Sequence, residues 1–66
     1  MINMIEAHYA DSKGNVLLTI KNPTIIPRVK EHVKIRNKIY EVLKIVHEPL
    51  SNAIYINIAF VNYTSK

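Results

Sequence analysis

Sixty-six residues allow one small domain with a thin core, because a chain this short buries only about 60% of the surface it exposes when unfolded. At 48% hydrophobic and 21% charged residues the chain is too apolar for disorder, and with no cysteine it has neither disulfides nor thiolate metal ligands. Lys and Arg outnumber Asp and Glu nine to five, and Arg28, Lys30, Lys34, Arg36, Lys38 and Lys44 face only Glu31 and Glu41 between positions 28 and 44. That stretch therefore carries the whole net charge of +4.

Alternation of apolar and polar residues recurs along the chain, and no window has a convincing helical period. The first segment, Ile2 to Tyr9, ends at Asp11-Ser12-Lys13-Gly14-Asn15, whose single glycine suits a hairpin loop needing a positive φ. Val16 to Lys21 reads as the return strand, with Val16, Leu18 and Ile20 on one face. Asn22 to Pro27 is expected as a crossover, since two prolines cannot donate into a central ladder. One of Ile25 and Ile26 should plug the end of a barrel. Val33 and Ile35 alternate with His32, Lys34 and Arg36 in a short strand, and Asn37-Lys38 is expected as the tight turn after it.

Ile39 to His47 reads as a long strand whose apolar set changes face, which predicts a β-bulge near Leu43-Lys44. Glu48 to Asn52 closes a second hairpin. In the last strand, Ala53 to Val61, Ile54, Ile56, Ile58 and Phe60 share one face while Tyr55, Ala59 and Val61 occupy the other. Five strands with short loops predict an all-β fold: a small five-stranded antiparallel SH3-like barrel, with an OB-like barrel as the alternative. Residues 1–62 form the domain in this reading, and 63–66 a polar tail.

Pro27-Arg28-Val29-Lys30-Glu31-His32-Val33-Lys34-Ile35-Arg36-Asn37-Lys38-Ile39-Tyr40-Glu41-Val42, followed by the alternating strand Ala53 to Val61, resembles a pattern in small phage and mobile-element proteins. The pattern runs from a proline and a basic residue through a short strand and turn to a tyrosine-led strand. Lys30 departs from it, standing where glycine is usual before Glu31. The resemblance covers about half the chain, between positions 27 and 61. It implies an SH3-like barrel of phage or prophage origin with an accessory role, acting in the host cell cytoplasm. It assigns no catalytic residue.

Chemistry-bearing groups are sparse. His8, His32 and His47 are spaced 24 and 15 apart, which matches no compact metal-ligand motif, and they are expected at solvent or in turns. Ser12, Ser51 and Ser65 fall in expected loops or the tail, without a base to activate them. One glycine cannot build a phosphate-cradling loop. No catalytic residue, metal or cofactor is therefore assigned, and a non-enzymatic binding module is expected. Its partner is a host protein or small anionic signal that it inhibits or modulates, with nucleic acid as the alternative partner. The binding residues read from the sequence are Arg28, Lys30, Lys34, Arg36 and Lys38, with Tyr55 as the candidate stacking aromatic. Tyr55, Ala59, Val61 and Leu17 are expected to form an outer apolar patch through which the last strand builds a homo-dimer or small homo-oligomer. Apolar runs of four residues or fewer argue against a membrane span, which needs roughly 20, and the start shows no secretory pattern. A cytoplasmic protein is the expectation.

Overall fold

The computed structural model describes residues 4–64 and is all-β, with five strands and one short 3-10 turn. The strands are β1 (Glu6–Ala10), β2 (Val16–Lys21), β3 (His32–Ile35), β4 (Lys38–Glu48) and β5 (Ala53–Tyr63), and the 3-10 turn is Pro49–Ser51. They form one sheet in the order β2-β1-β5-β4-β3, curled into a half-barrel that leaves β2 and β3 as its edges. The expected strand count and class are present. The pairing differs from the all-antiparallel expectation at one place, because β1 and β5 run parallel. Strand parity explains the difference. In a chain whose strands alternate up and down, the first and fifth point the same way, so making them neighbours creates a parallel pair.

The link from β2 to β3 spans Asn22 to Glu31 and must cross from one edge of the sheet to the other. Four strand spacings amount to about 19 Å on a flat sheet, and ten extended residues reach roughly 33 Å. The crossover is therefore long enough without a helix. It also does the plugging that the sequence suggested: Ile26 packs against the core and Pro27 is buried, while Ile25 projects into solvent. Its last residues, Arg28 to Glu31, make a tight turn closed by the Glu31 N–H donating to the Arg28 carbonyl at 3.0 Å. Lys30 adopts φ 77° there, so the turn forms with lysine in a conformation that glycine adopts more easily. The Glu31 carboxylate braces it by accepting the Arg28 N–H at 2.8 Å.

Ala7, Tyr9, Tyr40, Val42, Ile56 and Ile58 make the core on the inner face, with Val33, Ile35, Ile45 and Ile54 packed around them. Ile56, Ile58 and Val42 are fully buried, each contributing about 1.5–3 kcal/mol by leaving water. Burial pushes the Tyr9 phenol above its ordinary pKa. The register places Ile20, Ala7, Ile54 and His47 in one cross-strand row and Leu18, Tyr9, Ile56 and Ile45 in the next. The inner face of β2 is thus the expected one, but its residues lie at an edge and stay more than one-third exposed.

Three bulges curl the sheet. The register slips between Tyr9 and Ala10, between Ile39 and Tyr40, and between Val42 and Lys44. The extra residues are Leu17 on β2, Val61 on β5 and Leu43 on β4, all exposed. The Leu43 bulge is the one that the changed alternation predicted, and it returns Ile45 to the face of Tyr40 and Val42. The Val61 bulge carries β5 on to Tyr63, two residues past its expected end. Thr64 is then tied down, its N–H donating to the Asn37 carbonyl at 2.9 Å. The polar tail expected from residue 63 is thus structured through Thr64, while residues 65–66, like Ile2 at the expected start of the first strand, lie outside the described residues.

β5 is paired on both sides, so of the last strand only its outer face, and no free edge, is left for an assembly. The expected outer apolar patch is also divided. Tyr55 stacks on His8 and Leu17 turns into a cleft at the end of the half-barrel.

Asp11 organises the β1–β2 loop. Its carboxylate accepts the Lys13 and Asn15 N–H groups, both at 2.9 Å, and Gly14 takes φ 89° to complete the loop. The Asn15 N–H above all, with the Lys13 N–H, the Asn15 amide and the Lys13 charge, holds the Asp11 carboxyl below its ordinary value. A depressed folded-state pKa adds stability above the unfolded value that is lost as the pH falls through the folded one. Asp11→Ala should therefore unfold at lower urea than the wild type at pH 7. The difference in midpoint should close as the pH is lowered from about 4 toward 2. Equal midpoints at pH 7 would remove Asp11 from the loop's stability.

Candidate functional site: a basic and aromatic mouth

The six binding residues expected from the sequence do not form one group. Arg28 and Lys30 lie in the turn before β3, where the Lys30 N–H donates to the Val42 carbonyl at 2.8 Å. Arg36 and Lys38 lie at the other end of β3, about 20 Å along the strand from Lys30 by residue count. Lys34 points outward from β3, because Val33 and Ile35 turn toward the core. Lys38 pairs with Ile35 and so shares the opposite face from Lys34. The two-residue turn is Arg36-Asn37 rather than Asn37-Lys38, and Arg36, not Asn37, takes the positive φ of 58°. Alternation thus stops at Ile35, and Arg36 swings away from Lys34 toward Lys38.

Tyr55 is also separate. It pairs with Val46 on β4 and His8 on β1, eight residues along β5 from Tyr63 and roughly 27 Å away. Its ring stacks on His8 with centroids 5.1 Å apart and planes at 21°. His8 Nδ1 lies 3.0 Å from Thr19 Oγ1, and its Nε2 lies 3.3 Å from Glu6 Oε1. His8 is thus part of a half-buried cross-strand ladder, not the solvent or turn residue the sequence suggested. A hydroxyl, an imidazole and a carboxylate in a row are the parts of an activated nucleophile. Here they brace neighbouring strands on the outer face, and Tyr55 covers the ring.

The chemistry that does converge is at the mouth of the half-barrel. A cleft of about 480 Å³ is walled by Lys13 from the first loop, Leu17 from β2, and Lys38, Tyr40, Phe60 and Tyr63 from β4 and β5. An adjoining cleft of about 370 Å³ shares Leu17, Lys38, Tyr40 and Tyr63 and adds Ile35 and Arg36. The bulges at Leu17 and Val61 build this mouth. Without the Val61 insertion, Phe60 and Tyr63, three apart, would point to opposite faces. With it they meet edge to face at 5.0 Å, and Phe60 meets Tyr40 likewise at 6.0 Å. Tyr40 is buried at the base of this series, Phe60 is 49% exposed and Tyr63 66% exposed.

Lys38 Nζ stands 5.8 Å from the Tyr63 ring centroid. The Thr64 bonds to Asn37 tie the end of β5 to the β3–β4 turn, which fixes Tyr63 beside Arg36 and Lys38. Among the described residues, no Lys or Arg has a carboxylate within ion-pair distance, the single ion pair being His8–Glu6. Asp11 also lines the larger cleft, with its oxygens already committed to the loop. The mouth therefore presents three cations outside any close ion pair, Lys13, Arg36 and Lys38, around exposed aromatic rings, with the Asp11 carboxylate acting on Lys13 alone of the three.

Lys13, Phe60 and Tyr63 were not among the residues read from the sequence as binding residues. Lys13 sits far from the basic stretch in sequence, Phe60 continues a core alternation, and Tyr63 lies past the clear end of the last strand. Among the described residues, no three His, Asp or Glu side chains cluster to hold a metal ion, and no helix is long and apolar enough to cross a membrane. No protein-family model matches the chain, and no curated protein or solved structure is significantly similar to it.

Proposed function

We propose that this chain is a non-enzymatic module that binds an anionic partner stoichiometrically at the mouth of the half-barrel. The observation that carries this reading is the convergence of Lys13, Arg36 and Lys38, none in a close ion pair, on two adjoining clefts that share the walls Leu17, Tyr40 and Tyr63 and hold one carboxylate, Asp11, already committed to its loop. Cations beside apolar walls interact with anions more strongly than cations in open water, because the low-dielectric surroundings screen them less.

Backbone strain at Arg36 offers a way to test the same reading. Arg36 holds a left-handed conformation that costs an L-residue about 1–2 kcal/mol and glycine almost nothing. Lys30 is under the same strain at the far end of β3, away from the cleft, and serves as its control. An accessory role of the kind implied by the phage and mobile-element resemblance fits a module that acts by occupancy. Modulation of a host component through its anionic surface is the form of action we propose for it.

Arg36→Gly and Lys30→Gly should each raise stability by about 0.5–1 kcal/mol, the strain relieved less the added backbone entropy of glycine. Only Arg36→Gly should weaken the affinity for inorganic polyphosphate measured by calorimetry at low salt, and Lys30→Gly should leave it within about twofold. Lys38→Gln should weaken it in the same way as Arg36→Gly. Equal affinities in all three variants would show that the mouth is not the working surface.

A further inference from the structure

We propose that the anion taken at the mouth is single-stranded nucleic acid, with bases stacked on Tyr63 and Phe60 and phosphates held by Lys13, Arg36 and Lys38. The inference rests on the anion-binding reading above and goes further by naming the ligand. Two features of the mouth exceed what an anion alone requires.

The first is the exposure and attitude of the rings. Phe60 and Tyr63 stay 49% and 66% exposed, although Phe60 meets the buried Tyr40 edge to face. Their planes meet at 66°, so their faces look in different directions. A stacked pair of bases cannot lie on both at once. Two splayed bases can, and a flexible single strand supplies these, whereas a duplex keeps its bases stacked and paired.

The second is where the cations stand. Lys13 comes from the loop on the β2 side, and Arg36 from the turn on the β3 side. Lys38 lies between them, against the Tyr63 ring. A strand crossing the mouth from one edge of the half-barrel to the other meets a cation at entry, at the rings and at exit. A polyanion without rings, such as polyphosphate, would use the charges and leave the ring faces unused. Nucleic acid uses both.

Leu17 and Ile35 complete the walls from the two edge strands, so the gap between β2 and β3 opens onto the same space. A closed barrel would have buried these rings. The open edge and the exposed aromatics are therefore one arrangement.

The test is fluorescence anisotropy of a labelled oligothymidylate of roughly eight nucleotides, within the site sizes of small β-barrel binders. The whole chain is used, with folding of each variant checked by circular dichroism. Tyr63→Ala should weaken binding roughly 5- to 150-fold, the loss expected for one stacked base. Tyr63→Phe, which keeps the ring, and Tyr55→Ala, on the outer face, should each stay within about twofold. Three phosphate contacts predict a slope near −2 for log affinity against log salt. Tyr63 is largely exposed, so its alanine variant tests stacking without opening the core.

Inorganic polyphosphate and poly-glutamate separate this inference from the reading beneath it. Oligothymidylate preferred over both, with Tyr63→Ala erasing the preference, supports single-strand binding. Polyphosphate bound as tightly as the oligonucleotide, with Tyr63→Ala without effect, overturns the nucleic-acid inference and leaves the anion-binding module standing. Poly-glutamate bound most tightly overturns it in favour of an acidic protein partner. Failure to bind any of the three overturns both.

Discussion

The parallel pairing of β1 with β5 is the contact on which the rest of this small molecule depends. The chain folds as two units, the hairpin β1–β2 and the meander β3–β4–β5, and β1 beside β5 joins them. Ala7 and Tyr9 meet Ile54 and Ile56 across that seam, so the core is shared between units that could not bury it alone. The seam also sets the site. It brings the β1–β2 loop, with Lys13, beside the far end of β5, with Phe60 and Tyr63.

The same seam explains why the structure is a half-barrel. With β5 flanked on both sides, the edges left over are β2 and the four-residue β3. β3 carries His32 and Lys34 outward, a charged edge that resists pairing with another chain. β2 carries a charge only at its end, Lys21, and Val16, Leu17, Leu18 and Ile20 remain accessible along it. The chain thus accepts an incomplete core in exchange for an accessible interior. The bulged residues Leu17, Leu43 and Val61, all exposed, belong to the same trade, bending strands where straight ones would leave the sheet flat.

Much of the fold was legible because its signals are local. The Asp11–Asn15 loop, β2 and the change of face at Leu43 each announce themselves within ten residues of sequence. The parallel seam does not, since it joins residues 6–10 to residues 53–57 and follows from strand order. The basic stretch was legible as charge, but the side that each cation faces was not. A period of two assigns Lys34 and Arg36 together, and the left-handed turn residue Arg36 breaks that period. The aromatic partners were hidden for a similar reason. The Val61 bulge shifts the alternation by one residue, so Tyr63 joins Phe60 only once the bulge is known. Tyr55 had the opposite fate, being in a clear strand position and spent on His8.

The most direct test of the mouth as working surface is to follow backbone amide signals by nuclear magnetic resonance during titration with oligothymidylate or polyphosphate. The account predicts shifts confined to Lys13, Leu17, Arg36, Lys38, Phe60 and Tyr63, with Arg28, Lys30 and the His8–Tyr55 ladder unmoved. Shifts centred on Arg28, Lys30 and Lys34, or on the outer face around Tyr55, would contradict it.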